Sequence, residues 1–126
     1  MNRHYQLGLL HFTQLLIGAD GEINTIELEA LLKIKVMENI PDDTFGEFQQ
    51  LTKTLTEREV YLKGLDHLGH CTGEEKLRVF ATLYRLSEVD GRVHAKEIRL
   101  LLYSLKTAGI EFNEVVDFAK QHPFTF

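Results

Sequence analysis

The apolar residues of this chain recur at the spacing of helical faces. Positions 77, 80, 81 and 84 follow the i, i+3, i+4, i+7 pattern, and positions 98, 101, 102 and 105 repeat it. Strict apolar and polar alternation is scarce, and Leu occurs 20 times against 14 for Val and Ile together, which favours helices over strands. The pattern therefore predicts an all-α fold.

Boundary signals divide the pattern into about seven helices. In a capping box, a polar side chain accepts from the third helical amide while an acid three residues later reaches back. Such boxes are predicted at Thr56 with Glu59, Thr72 with Glu75, and Asn24 with Glu27. Pro41, Gly109 and Pro123 are predicted to close the helices before them. We predict one compact domain over residues 1–126, with helices near 3–18, 24–39, 42–54, 57–70, 73–88, 95–108 and 113–121.

Two segments, about 9–32 and 79–102, match each other at an offset of 70 residues. The first copy holds Leu16, Ala19, Asp20, Gly21, Ile23, Glu27, Leu28, Leu31 and Leu32, and the second holds Leu86, Val89, Asp90, Gly91, Val93, Glu97, Ile98, Leu101 and Leu102. Each copy predicts a helix, an Asp-Gly turn and a second helix. Two amphipathic helix pairs in the same register would explain the apolar matches alone, but not the match of Asp-Gly and of the later Glu. We therefore predict a bundle built on two repeated helix-turn-helix corners.

The corner motif, Asp-Gly-x-(Ile/Val)-x-x-x-Glu, also forms the second half of an EF-hand loop. The leading carboxylate of that loop is missing, because Leu16 and Leu86 stand in its place. An EF-hand Ca²⁺ site is therefore not expected. A structural role explains the motif by itself, with Gly21 and Gly91 supplying positive φ at the turns and the preceding Asp residues capping loop amides.

Both corners, residues 19–27 and 89–97, resemble those of the tellurite-resistance TerB-like domains, an all-helical bacterial family with one such corner in each half. The chain also resembles the N-terminal domain of a membrane-anchored J-domain co-chaperone. The resemblance covers residues 1–121. It implies a non-enzymatic interaction module that binds a protein partner in a bacterial stress-response or envelope-associated system.

The same resemblance implies a divalent metal site in the corners. Carried over by residue, its ligands are Asp20, Glu27, Asp90 and Glu97. Such hard oxygen ligands prefer Ca²⁺ or Mn²⁺ to zinc. The alternative interpretation is that Arg92, Lys96 and Arg99 neutralise these carboxylates without a metal. Metal binding or sensing is thus the second functional hypothesis.

Charge and composition narrow the classes of partner and compartment. The net charge of -5 disfavours nucleic acid, whose phosphates require cationic side chains. Cys71 is the only cysteine, so no intrachain disulfide forms and a cytoplasmic location is expected. No apolar run reaches the roughly 18 residues of a membrane span, and the apolar stretch at 7–17 lacks a signal-peptide cleavage pattern.

His67, His70 and Cys71 form a second cluster near a predicted helix end. Structural zinc usually has four ligands, so His94 or His122 would have to complete a site. A simpler interpretation pairs the histidines with the carbonyls of the helix terminus. No Gly-x-Ser-x-Gly turn or phosphate-binding glycine loop occurs, and we do not expect an enzyme. Two phenylalanines of the tail, Phe124 and Phe126, are expected to plug the core or to form an exposed hook.

Overall fold

The computed structural model describes residues 3–18, 25–89, 93–104 and 110–121, apart from the side chains at positions 26, 27 and 89. These residues form seven helices and no strand, and none of these helices is long and apolar enough to cross a membrane. The helices are α1 (Arg3–Ile17), α2 (Thr25–Met37), α3 (Asp42–Thr52), α4 (Glu57–Gly69), α5 (Gly73–Val89), α6 (Ala95–Ser104) and α7 (Phe112–Gln121). The all-α prediction is confirmed. Much of both predicted corners, Gly109 and the tail from 122 onward lie outside the described residues.

The first helix, α1, forms the centre of the bundle. Residues 5–14 are all buried, so every side of the helix is covered. It packs against α2, α3, α4 and α5, and most extensively against α4, while α5 also contacts α6 and α7. Four of these buried residues are polar: Gln6, His11, Thr13 and Gln14. The apolar stretch at 7–17 therefore lies in the middle of the protein core.

Two of the three predicted capping boxes are present with both of their hydrogen bonds. The Glu59 amide donates to Thr56 Oγ1 at 3.2 Å, and the Thr56 amide donates to Glu59 Oε1 at 3.1 Å. The corresponding distances between Thr72 and Glu75 are 3.1 and 2.9 Å. The third box, at Asn24 and Glu27, lies outside the described residues. The boxes fix the starts of α4 and α5, and such a cap contributes about 1 kcal/mol.

The end of α2 differs from the prediction that Pro41 stops this helix. The helix ends at Met37 in a Schellman motif, with Asn39 in the left-handed region at φ 51°. The Ile40 amide donates to the Lys35 carbonyl at 2.9 Å, and the Asn39 amide donates to the Val36 carbonyl at 3.3 Å. Pro41 instead occupies the N-cap position of α3. The tight turn places Glu38 inside the protein.

The backbones of α1 and α4 approach closely at Gly8 and Gly64. A Cβ atom on Gly64 would lie 3.0 Å from Cε1 of Phe12 and 3.2 Å from Cβ of His11. A Cβ on Gly8 would lie 3.4 Å from Cβ of His67. Only glycine therefore lets the two helices reach this separation at Gly64. The contact brings the histidines of the two helices together.

Replacing Gly64 by Val is expected to lower the free energy of unfolding by about 1 to 3 kcal/mol, because the added carbons force α1 and α4 apart. Urea unfolding of the purified chain measures the change. Gly46→Val is the matched control, since a Cβ on Gly46 in α3 meets nothing within 4 Å. We expect the control to be close to native, because Val is a better helix former than Gly. Equal unfolding midpoints for the two variants would contradict the role of Gly64.

The matched positions of the two predicted repeats are not all buried alike. Two leucine pairs are buried in both copies: Leu16 with Leu86, and Leu31 with Leu101. The next pair differs, because Leu32 is 41% exposed while Leu102 is only 3% exposed. The second helix of the first copy therefore keeps an apolar side chain in solvent where its counterpart is covered.

Candidate functional site

Four of the six histidines lie together where the first half of α1 meets the end of α4. The Nδ1 atoms of His4 and His67 are 3.0 Å apart. The ring of His4 stacks on that of His70, with centroids 4.3 Å apart and planes inclined by 20°. The ring of His11 lies 5.3 Å from that of His67, centroid to centroid. The four imidazoles form one continuous cluster, which we call the histidine cluster.

Two rings of the histidine cluster, those of His11 and His67, have a pKa below the ordinary histidine value. Burial lowers the pKa of His11 to about 4, and its Nδ1 lies 2.6 Å from the Leu7 carbonyl oxygen. Nδ1 of His11 is therefore the donor, and the buried Nε2 keeps a lone pair with no hydrogen-bond partner among the described residues. Burial, followed by the charge of His4, also lowers the pKa of His67. In the contact between His4 and His67, one Nδ1 is the donor and the other is the acceptor, as set by the tautomers of the two rings.

Sequence reasoning placed His67, His70 and Cys71 together but missed His4 and His11. The available signal was the spacing in α1, because residues seven apart lie on one face of a helix. Of the two proposed completing residues, His94 stands just before α6 with an exposed side chain, and His122 lies outside the described residues. The packing of α1 on α4 supplies the missing members.

The thiol of Cys71 is favoured in its protonated form at neutral pH. Burial, with a smaller effect from Glu75, raises the pKa of its thiol to about 11. The thiol donates to the His67 carbonyl oxygen over 3.4 Å. In the part of the chain that the structure describes, no three His, Cys, Asp or Glu side chains are arranged to hold a metal ion. Cys71 therefore serves to close the end of α4.

The predicted carboxylate site falls mostly outside the described residues. Asp20, Asp90 and the side chain of Glu27 are among those outside. Glu97 is described, partly buried in the first turn of α6. Arg99, one of the cations expected to neutralise the carboxylates, donates to Tyr103 Oη at 3.3 Å and lies over the rings of Tyr103 and Phe112. The four-carboxylate cation site stays a prediction.

An ion pair between the buried Glu38 and the partly exposed Arg78 joins the end of α2 to α5, and sequence reasoning did not find it. Nη2 of Arg78 donates to Glu38 Oε2 at 3.1 Å, and Thr82 Oγ1 donates to Glu38 Oε1 at 3.1 Å. Nε of Arg78 also donates to Tyr5 Oη at 3.2 Å, which adds α1 to the group. Burial, with the negative charge of Glu38, raises the pKa of Tyr5 and keeps its phenol protonated. The group therefore links α1, the end of α2 and α5.

Pairs of exposed apolar side chains occur on two helices, α2 and α6. On α2, Leu32 is 41% exposed and Val36 is 76% exposed, and the i, i+4 spacing places them on one face. Leu100 and Tyr103 are likewise exposed on α6. A shallow cleft beside the start of α4 is lined by Leu15, Glu57, Arg58 and Tyr61. Of these four apolar side chains on α2 and α6, Val36 is the most exposed.

Comparison with known proteins finds no family model, curated protein or solved structure that matches this chain.

Proposed function

We propose that this chain is a non-enzymatic interaction module of the TerB-like type, which binds a helix of a partner protein on the exposed face of α2. We call this face the α2 face and define it by Leu32 and Val36. The exposure of these two side chains carries the proposal. The bacterial stress-response or envelope-associated setting comes from the resemblance of the corner motifs, and a cytoplasmic position belongs to the same proposal.

A comparison with the second half of the chain supports the proposal that a partner covers the α2 face. Leu102, the counterpart of Leu32 at the offset of 70 residues, is 3% exposed. Single exposed leucines are ordinary on protein surfaces. Two exposed apolar residues one turn apart on the same helix, Leu32 and Val36, form a small apolar patch instead. A partner that covers Leu32 would give the first half the burial that the second half already has.

An amphipathic helix is the partner chemistry that fits this surface. Helix recognition uses apolar residues at i, i+3, i+4 and i+7, and these interdigitate with side chains at the same spacing on the receiving helix. Leu32 and Val36 offer two such positions along the axis of α2. Fully burying one Leu or Val side chain contributes about 1.5 to 3 kcal/mol. The α2 face therefore accounts for a large share of the affinity of a modest helix interface.

The α2 face is tested with the double variant Leu32→Lys/Val36→Lys and the matched control Leu62→Lys, an exposed leucine on α4. Partners are identified by cross-linking in cells of the native source, and each purified candidate is then titrated against all three proteins. We expect the double variant to weaken binding about 100-fold, from the loss of two buried apolar contacts. The control is expected to bind like the native chain.

The proposal is overturned if the control loses affinity for the partner and the double variant does not. If the double variant binds every identified partner with native affinity, the α2 face is not the interface. Unchanged circular dichroism of both variants establishes that a loss of affinity reflects the surface, since all three residues are exposed.

A further inference from the structure

The exposed side of α2 carries charged residues around the α2 face. Thr25, Glu29, Leu32 and Val36 are all exposed, and their spacing of four, three and four residues places them in one stripe along the helix. Lys33 is half-buried at the border of this stripe, one turn beyond Glu29. The stripe therefore has an acid toward the start of α2, a base toward its end and Leu32 between them.

Two charges of this stripe are available to a second molecule. Neither Glu29 nor Lys33 has an ion-pair partner among the residues that the structure describes. The neighbouring Lys35 is already engaged, because its Nζ lies 2.6 Å from Asp42 Oδ1. A helix that packs on the α2 face thus meets one negative and one positive side chain, one turn apart on the same flank.

We propose that the helix bound on the α2 face is α2 of a second copy of this chain, packed antiparallel about a two-fold axis beside position 31. The proposal rests on the proposed function, because it names the partner of that face. In a two-fold interface, a contact of residue i with residue j is repeated as a contact of j with i. Glu29 and Lys33 lie two residues to either side of position 31, so each Glu29 faces Lys33 of the other copy. The pairing therefore forms two ion pairs.

The same register covers the apolar atoms of the stripe. Leu32 lies one residue from the axis, so the two Leu32 side chains are offset by only about 3 Å along the helices and contact each other. Val36 lies five residues to one side of position 31 and Thr25 lies six residues to the other side. This places Val36 against the methyl group of Thr25 in the other copy. Both side chains of the α2 face are thereby covered.

The antiparallel orientation follows from the charges. A parallel two-fold pair would set Glu29 level with Glu29 and Lys33 level with Lys33, and opposed like charges are unfavourable. One pair of helices buries less than the roughly 1,200 Å² of a standard stable interface, so the dimer is a weak one. We expect a dissociation constant between about 1 µM and about 1 mM.

Charge reversal tests the pairing by sedimentation velocity of the full chain at concentrations up to about 1 mM. The native chain is expected to shift from the mass of one chain to that of two. Glu29→Lys and Lys33→Glu should each weaken self-association about 10-fold, because both ion pairs become contacts of like charge. Lys63→Glu is the matched control, since Lys63 is an exposed lysine on α4, and it should associate like the native chain.

An equimolar mixture of Glu29→Lys with Lys33→Glu is the deciding sample. In a dimer of one copy of each, Lys at position 29 faces Glu at position 33, and Glu29 faces Lys33, so opposite charges meet again at both places. We expect the mixture to associate with nearly native affinity although each variant alone does not. A mixture that associates no better than its components would overturn the antiparallel pairing.

Leu32→Cys provides a second test that leaves the charges unchanged. Because the two Leu32 positions adjoin the axis, oxidised glutathione should link this variant into a disulfide dimer. Leu62→Cys, at an exposed leucine of α4, should stay monomeric. A native chain that is monomeric at about 1 mM, or equal cross-linking of the two cysteine variants, would overturn the second copy as the partner. The α2 face itself is judged separately, by the binding of Leu32→Lys/Val36→Lys to other proteins.

Discussion

Replacing Arg78 by Ala is expected to lower the free energy of unfolding by about 3 to 5 kcal/mol, because it leaves Glu38 as a buried charge without its ion partner. The Glu38 side chain is only 1% exposed, and Arg78 lies 3.1 Å from its carboxylate. Thr82 still donates one hydrogen bond to the carboxylate, but it supplies no positive charge. Urea unfolding at pH 7 measures the loss.

The ion pair of Arg85 with Glu88 provides the matched control for Arg78. These side chains lie three residues apart on α5, and that of Glu88 is 47% exposed. Glu88→Ala is expected to cost a few tenths of a kcal/mol, about the value of an exposed helix pair. The double variant Glu38→Met/Arg78→Met should recover most of the loss, because removing both charges leaves neither one unpaired. A native midpoint for Arg78→Ala would show that the charge of Glu38 reaches solvent.

Acidification from about pH 6.5 to about pH 4 is expected to destabilise the fold by about 3 kcal/mol through His11. The pKa of His11 in the native state is about 4, against 6.5 for an ordinary histidine. Between these values the unfolded chain binds a proton that the native chain does not. Stability therefore falls as the pH falls through this window, and the His11 contribution levels off below about pH 4. The lowered pKa of His67 acts in the same direction.

Urea unfolding at several pH values between about 4 and 6.5 compares the free energy of unfolding of the native chain with that of His11→Leu. Carboxylates also titrate near pH 4, so the difference between the two proteins isolates the histidine. We expect the variant to have a flatter pH profile, because it has no imidazole to protonate at this position. His94→Gln, altered at an exposed histidine, should keep the native profile. Parallel profiles for the native chain and His11→Leu would mean that His11 takes up protons without unfolding.

Helix positions were predictable because their signals are local. Thr56 and Glu59 are three residues apart, and both halves of their capping box form as the sequence indicates. The sequence predicts that α2 ends near residue 39, whereas the helix ends at Met37. Pro41 is a stronger sequence signal than an asparagine that adopts the left-handed conformation at position 39. A Schellman motif needs one residue with a positive φ, and most residue types rarely adopt that conformation. The exact residue at which α2 ends is therefore difficult to predict from the sequence.

The histidine cluster was only half predictable, because it depends on which helices pack together. His67 and His70 share a helix end and were found by their spacing, but His4 is 63 residues away from His67. The pairing of α1 with α4 rests on the close approach at Gly64, which carries no signal as a motif. Glu38 and Arg78, 40 residues apart, form their contact through the same kind of long-range packing.

The central position of α1 also sets the order in which the chain is able to bury its core. Ribosomes make α1 before every helix that covers it, and α4, its most extensive neighbour, begins only at Glu57. Until α4 and α5 emerge, much of the apolar surface of α1 lacks its cover, and exposed apolar surface is what makes incompletely folded chains prone to aggregate. Because the chain is synthesised from α1 onward, α1 lacks its most extensive contact until α4 has been made.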